Sequence, residues 1–199
     1  MSLTSPEPAL NVLWWAWYVS WIVAAAFAGR TKTQMKTDMG GGHRIASGVG
    51  AFLLFAPLGL IARHGWFPKI AATRLWDAAV GPSWVLFGLA LLAFAFCWWA
   101  RLHLGKLWSG FVTLKEDHRI VDTGPYGLVR HPIYSGVIFA ALMTGLMRAT
   151  PAALLGALLI TVGFSLTAKI EEGFLRSQLG AALYDGYSAR VGMLFPRLR

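Results

Sequence analysis

The sequence predicts an all-α integral membrane fold: about five transmembrane helices, the last two forming a C-terminal helical hairpin, then a cytoplasmic amphipathic helix. Three observations carry this. Of 199 residues, 56% are hydrophobic and only 14% charged, a balance far from that of soluble domains. The apolar residues gather in four long runs, 12–28, 45–62, 80–100 and 133–168, the last long enough for two crossings. Lys and Arg collect in alternate connections between them.

The first run holds 17 residues, which at about 1.5 Å each reach about 25 Å, close to a hydrocarbon core of about 30 Å. Trp14, Trp15, Trp17 and Trp21 suit the interfaces and cover the shortfall. Only Glu7, and no basic residue, precedes this run, so it is expected to be retained rather than cleaved as a signal peptide. The connection 30–44 contains Gly40, Gly41 and Gly42 and reads as a flexible loop without a phosphate-binding turn. After the second run, His64, Gly65, Trp66 and Pro68 suggest an interfacial turn or small lid. The third run ends with Trp98 and Trp99, again interface residues.

From 101 to 132 the chain turns polar. Residues 114–120 are short enough for a strand or one helical turn, and Thr123-Gly124-Pro125-Tyr126-Gly127 reads as a tight turn. Pro132 suits the first turn of the fourth span, where its missing N–H has no helical partner. Arg148 and Thr150-Pro151 divide the run 133–168 into a hairpin. Beyond it, Phe174, Leu175, Leu179, Leu183 and Tyr187 recur at three- and four-residue intervals, predicting an amphipathic helix over 169–190.

The net charge of +9 follows membrane topology rather than nucleic acid, because no basic stripe alternates with stacking aromatics. Of 18 Lys and Arg, four lie in 30–44, five in 101–130 and five from 169 onward. The positive-inside rule then places the N-terminus outside and the C-terminus in the cytoplasm. The one cysteine, Cys97, sits within the third run, which excludes an intrachain disulfide and a cysteine-based zinc site.

Two polar clusters fall at membrane boundaries on the cytoplasmic side. One is the run from Gly124 to Gly136, with Tyr126, Leu128, Val129, Arg130, His131 and Tyr134; the other is Glu171-Glu172, followed by Leu175, Gly180, Tyr184 and Tyr187. Taken singly, Arg130 can mark a span end, His131 can cap one, and Glu172 can pair with Arg176 a turn later. Together they point to chemistry, since charge near hydrocarbon costs a few kcal/mol and tends to mark function. A hairpin of spans four and five brings Arg130, His131 and Tyr134 beside Glu171 and Glu172, making one site.

The run Arg130-His131-Pro132-Ile133-Tyr134-Ser135-Gly136 resembles the RHPxYxG motif of the isoprenylcysteine carboxyl methyltransferase family. Glu171-Glu172-Gly173-Phe174-Leu175, with Gly180, Tyr184, Tyr187 and Pro196, is similar to that family's EExxL, G, Y, Y and P pattern. The resemblance covers about the last hundred residues. It implies an S-adenosylmethionine-dependent membrane methyltransferase, a single transmembrane domain with scaffold spans in 1–100 and a catalytic core in 101–199. His131, Tyr134, Glu171 and Glu172 would hold the cofactor, and backbone from Tyr126 through Leu128 to Val129 would line it. Arg130 and Glu172 would serve catalysis, with Arg130, and more weakly Lys169, facing the acceptor. The soluble cofactor would enter from the cytoplasm and a lipophilic or small acceptor from the bilayer, an isoprenylcysteine-like carboxylate being favoured.

Other readings stay open on the sequence alone. A phospholipid amine or small thiol is an alternative acceptor. A nicotinamide-dependent, sterol-reductase-like activity is an enzymatic rival, and a non-catalytic membrane protein keeping the motif as a structural corner is another. No strand, glycine-rich turn and acidic residue follow one another, so a soluble dinucleotide-type domain is excluded.

Overall fold

The computed structural model describes residues 5–25, 31–34, 41–55, 66–77, 79–105, 108, 113–115 and 120–197. Helices dominate: α1 (Glu7–Ala25), α2 (Gly42–Phe55), α3 (Trp66–Ala72), α4 (Val80–Leu104), α5 (Pro125–Leu128), α6 (Pro132–Arg148), α7 (Pro151–Leu179) and α8 (Ala181–Arg190). One departure from an all-α fold is a short antiparallel pair, β1 (Thr31–Gln34) with β2 (Thr113–Lys115). The strand option for the start of 114–120 is the one realised, and its partner comes from the connection read as a loop.

α4 and α7 are long and apolar enough to cross a bilayer, and α6 is a shorter apolar helix. α1 and α4 turn large apolar side chains outward, among them Val12, Trp15, Val85, Leu92 and Leu102, as lipid-facing helices do and water-facing ones rarely do on this scale. The second apolar run is helical to Phe55; residues 56–62 lie outside the described residues, as do 26–28 of the first run and His64 and Gly65.

The chain forms two compact units. One combines 1–15, 42–93 and 138–164; the other combines 16–41, 94–137 and 165–199. In the first, α2 and α7 meet backbone to backbone. A Cβ on Gly50 would lie 2.8 Å from Gly156 O, and one on Gly156 would lie 2.7 Å from both Gly50 O and Leu54 N. Small residues permit this approach, the usual means by which helices associate where no water drives them together. The same unit joins Trp14 Nε1–H to Thr144 Oγ1 at 2.9 Å, Arg148 to Asn11 Oδ1 at 2.6 Å, and Arg74 to Glu7.

α6 and α7 form a hairpin where the sequence places it. Ala149 adopts φ 54°, Thr150 Oγ1 accepts the amide of Ala153 at 3.2 Å, and Pro151 opens α7, an N-cap followed by proline at N1. α7 differs from expectation at its other end. It continues unbroken to Leu179, absorbing the first half of the segment read as a separate amphipathic helix. The break comes at Gly180, whose φ of 93° suits glycine rather than an L side chain, and α8 follows.

Candidate active site

All the clustered site residues lie in the second unit. Its first component is a turn. Gly124 has φ 57°, and a Cβ there would sit 2.7 Å from Cε1 of His103, so the imidazole occupies the space that a side chain would need. Amides of Tyr126 and Gly127 donate to Thr123 O and Gly124 O, both at 3.1 Å. The proline at N1 completes the single turn of α5.

The chain then extends through Val129, Arg130 and His131 and is held by the C-terminal tail. Val129 bridges Gly192 in parallel, the Arg130 amide donates to Gly192 O at 2.8 Å, and that of His131 to Met193 O at 3.1 Å. Ser135 Oγ lies 2.8 Å from Leu194 O. Tyr187 O–H donates to Tyr126 O at 2.8 Å, and Arg190 pairs with Asp122 at 3.1 Å. A Cβ on Gly192 would collide with Phe195 O. Nothing in the sequence pattern signals this tail contact, because it depends on main-chain groups far apart in the chain.

With the backbone fixed, the side chains converge. Arg130 meets Glu172 through a fork, Nε to Oε1 at 2.7 Å and Nη2 to Oε2 at 3.0 Å, the bidentate geometry that suits guanidinium and carboxylate. Nη1 donates to Ser188 O at 3.1 Å and also to Val191 O. His131 Nε2 lies 3.2 Å from Glu172 Oε1, and its Nδ1 3.7 Å from Glu171 Oε2. The His131 ring stacks on Tyr134 with centroids 5.3 Å apart and planes 2° from parallel. Tyr134 O–H donates to Glu171 Oε2 at 2.9 Å. The two clusters therefore make one site.

Two named residues remain apart from this network. Leu128 is half exposed, and Lys169 is exposed, with no ion pair among the described residues. The Glu172–Arg176 pair that helical spacing allows does not form. Arg130 takes Glu172 instead, and Arg176 forks onto Asp185 of α8 at 2.7 and 2.8 Å, drawing the Asp185 carboxyl below its usual value.

The electrostatics follow from this packing. Burial works against the Arg130 charge, but the Glu172 hydrogen bonds and charge outweigh it and hold the guanidinium pKa above its usual value. Burial first, then the charge of Glu171, raises the Tyr126 phenol, with Arg101 acting the other way. Burial likewise raises Tyr184, reinforced by Glu172, and raises Tyr187 against the opposing charge of Arg130. A phenol raised in the folded state contributes stability below its unfolded pKa of 10.0 and loses it as pH rises through the folded value. Absorbance titration of phenolate is thus expected to show these three phenols still protonated well above the ordinary tyrosine pKa of 10.0, ionising only together with unfolding. Reversible titration of all five tyrosines near pH 10 in the folded protein would contradict this packing.

Chemically, the cluster sets two carboxylates against one guanidinium and one imidazole, beside a flat aromatic stack. Such a site suits a cationic ligand with polar ends. Residues 85–176 match the isoprenylcysteine carboxyl methyltransferase (ICMT) family. The match takes in both halves of the cluster, Arg130 to Tyr134 and Glu171-Glu172. The chain is also similar to protein-S-isoprenylcysteine O-methyltransferase B of Arabidopsis thaliana, 26% identical over 174 residues, covering 86% of this chain and 82% of that protein.

Proposed function

We propose that this methyltransferase esterifies the carboxylate of an isoprenylcysteine-like acceptor drawn from the bilayer, using S-adenosylmethionine held at the His131, Tyr134, Glu171 and Glu172 cluster. The observation that carries the reading is the linkage of both carboxylates to Arg130, His131 and Tyr134 at the head of α6. The name of the Arabidopsis relative favours the prenylated acceptor. When bound, the cofactor supplies an electrophilic methyl: a carboxylate oxygen–carbon bond forms, a sulfur–carbon bond breaks, and its electron pair stays on sulfur.

The protein's own work is to bind and align. Glu171 has one carboxylate oxygen on Tyr134 and the other without a hydrogen bond among the described residues, an acceptor suited to an ammonium group. Backbone from Tyr126 to Val129 lines the site. Four of the five N–H donors of Arg130 are committed to Glu172, Ser188 O and Val191 O, so its role is to position Glu172 rather than to face the acceptor. A carboxylate is already nucleophilic, and the step needs alignment and exclusion of water more than proton transfer.

In the same reading α1, α2, α4, α6 and α7 are five spans, with the N-terminus outside and the site at the cytoplasmic face. Support comes from the Lys and Arg distribution and the close α2–α7 packing. The test is transfer of labelled methyl by the purified protein to prenylcysteine analogues, small thiols and phospholipids. Base-labile ester on the prenylcysteine is expected. Transfer only to a thiol or phospholipid amine would overturn the acceptor, and binding of NADPH without S-adenosylmethionine would overturn the reaction.

A further inference from the structure

Arg101 stands apart among the described cations of its unit. It is 5% exposed. One amino group donates to Ala24 O at 2.8 Å, in the last turn of α1, and the other to Gly105 O at 3.1 Å, just past α4. The guanidinium carbon lies 3.8 Å from the Trp108 ring centroid, a cation–π contact. Among the described residues its buried Nε–H has no acceptor and no carboxylate pairs with it. Arg130, Arg176 and Arg190 of the same unit all have carboxylate partners, while Lys169 is exposed.

A buried cation without a counter-ion is costly. Helix carbonyls and an aromatic face offset part of that charge. The empty Nε–H shares the guanidinium edge with the amino group on Ala24 O, and this edge is the one that receives a carboxylate in bidentate pairing, as Arg130 receives Glu172. The surroundings suit an apolar anion: Trp21 meets both Trp98 and Trp108 edge to face, each at 5.5 Å. Tyr126 connects this place with the methyl-donor cluster, since its phenol feels the charges of both Arg101 and Glu171. His103, two residues beyond Arg101, stacks on the Tyr126 ring at 6.4 Å.

We infer that Arg101, backed by Trp108, forms the subsite that recognises the acceptor's carboxylate, with the neighbouring tryptophans receiving the adjoining apolar chain. The inference rests on the carboxylate-methylating function proposed above. It moves acceptor recognition from Arg130 and Lys169 to a residue outside both sequence motifs, and it makes carboxylate over neutral acceptors a property of one guanidinium.

The test compares equilibrium binding of N-acetyl-S-farnesylcysteine and its carboxamide to the detergent-purified full chain, with S-adenosylmethionine binding measured alongside. The wild type is expected to prefer the carboxylate by about tenfold to a hundredfold, the scale of a charge-assisted hydrogen bond. In Arg101→Gln the two ligands should bind equally while S-adenosylmethionine affinity holds. If the wild type shows the preference and Arg101→Gln keeps it, the subsite is wrong and the proposed function stands. If the wild type shows no preference and methylates no carboxylate, the proposed function itself fails. Should Arg101→Gln not fold, Arg101→Lys retains charge for the helix ends but lacks the fork. Its preference is expected to fall to a few-fold, and an undiminished preference would overturn the inference.

Discussion

Replacing Glu172 by alanine is expected to destabilise the protein by about 3 kcal/mol and to abolish S-adenosylmethionine binding. The side chains of Arg130 and Glu172 are 10% and 18% exposed, so the pair is shielded from water though not sealed. Removing one partner leaves a largely buried guanidinium with carbonyls but no counter-ion, and the penalty for that exceeds the net worth of the pair itself. The loss spreads, because Arg130 also holds Ser188 O and Val191 O and thereby the tail that fixes the 129–131 backbone. The measurement is thermal unfolding in detergent for Glu172→Ala, Arg130→Met and the double variant. The double variant should be less damaged than the sum of the two single ones, since an apolar pair strands no charge. Additive losses, or an unchanged midpoint for Glu172→Ala, would show that the fork contributes little.

Gly156→Val is expected to be at least as damaging, about 3 kcal/mol or more, with the protein folding poorly if at all. The Cβ alone would lie 2.7 Å from Gly50 O and from Leu54 N. Those are backbone atoms of a helix and cannot rotate away, so α2 and α7 must separate. Separation forfeits the close contact that holds two helices together where lipid offers equally apolar surroundings. Gly88→Ala is the fitting control: it lies within a helix of the same unit, and nothing approaches its added Cβ within 4 Å. That variant should match or slightly exceed the wild type, since alanine is the better helix former. Comparable midpoints for Gly156→Val and the wild type would refute the backbone contact.

These two expectations draw on very different amounts of sequence information. The pairing of Arg130 and His131 with Glu172 was legible because two polar clusters interrupt apolar runs, and a helical hairpin allows only one arrangement of its ends. The Gly50–Gly156 contact was not legible. Glycine within an apolar run has the same appearance whether it faces lipid, as an ordinary helix residue, or another backbone. Gly88 and Gly156 differ only in what lies opposite.

Arg176 shows the same limit in the polar part of the chain. Helical spacing alone pairs it with Glu172, and a local rule of this kind is worth a few tenths of a kcal/mol. A bidentate partner from elsewhere overrides it: Arg130 takes Glu172, and Asp185 takes Arg176. The merging of 169–179 into α7 follows equally from local identity. No proline stands between Pro151 and Gly180, and Gly173 stays within the helix, so helical periodicity continued where a change of polarity suggested a boundary.

The sequence by itself determined the solvent of this protein, its helical class, the hairpin at Thr150-Pro151 and the two motifs that resemble those of the isoprenylcysteine carboxyl methyltransferase family. These are properties of composition, periodicity and short-range spacing, which are written along the chain. Only the tertiary structure decided what each charge meets: Arg130 engaged on Glu172 and the tail, Lys169 left in the open, and Arg101 buried with an unmatched donor. The physical reason is that the fate of a charge depends on its desolvation and its partners, and both are set by groups brought from distant parts of the chain.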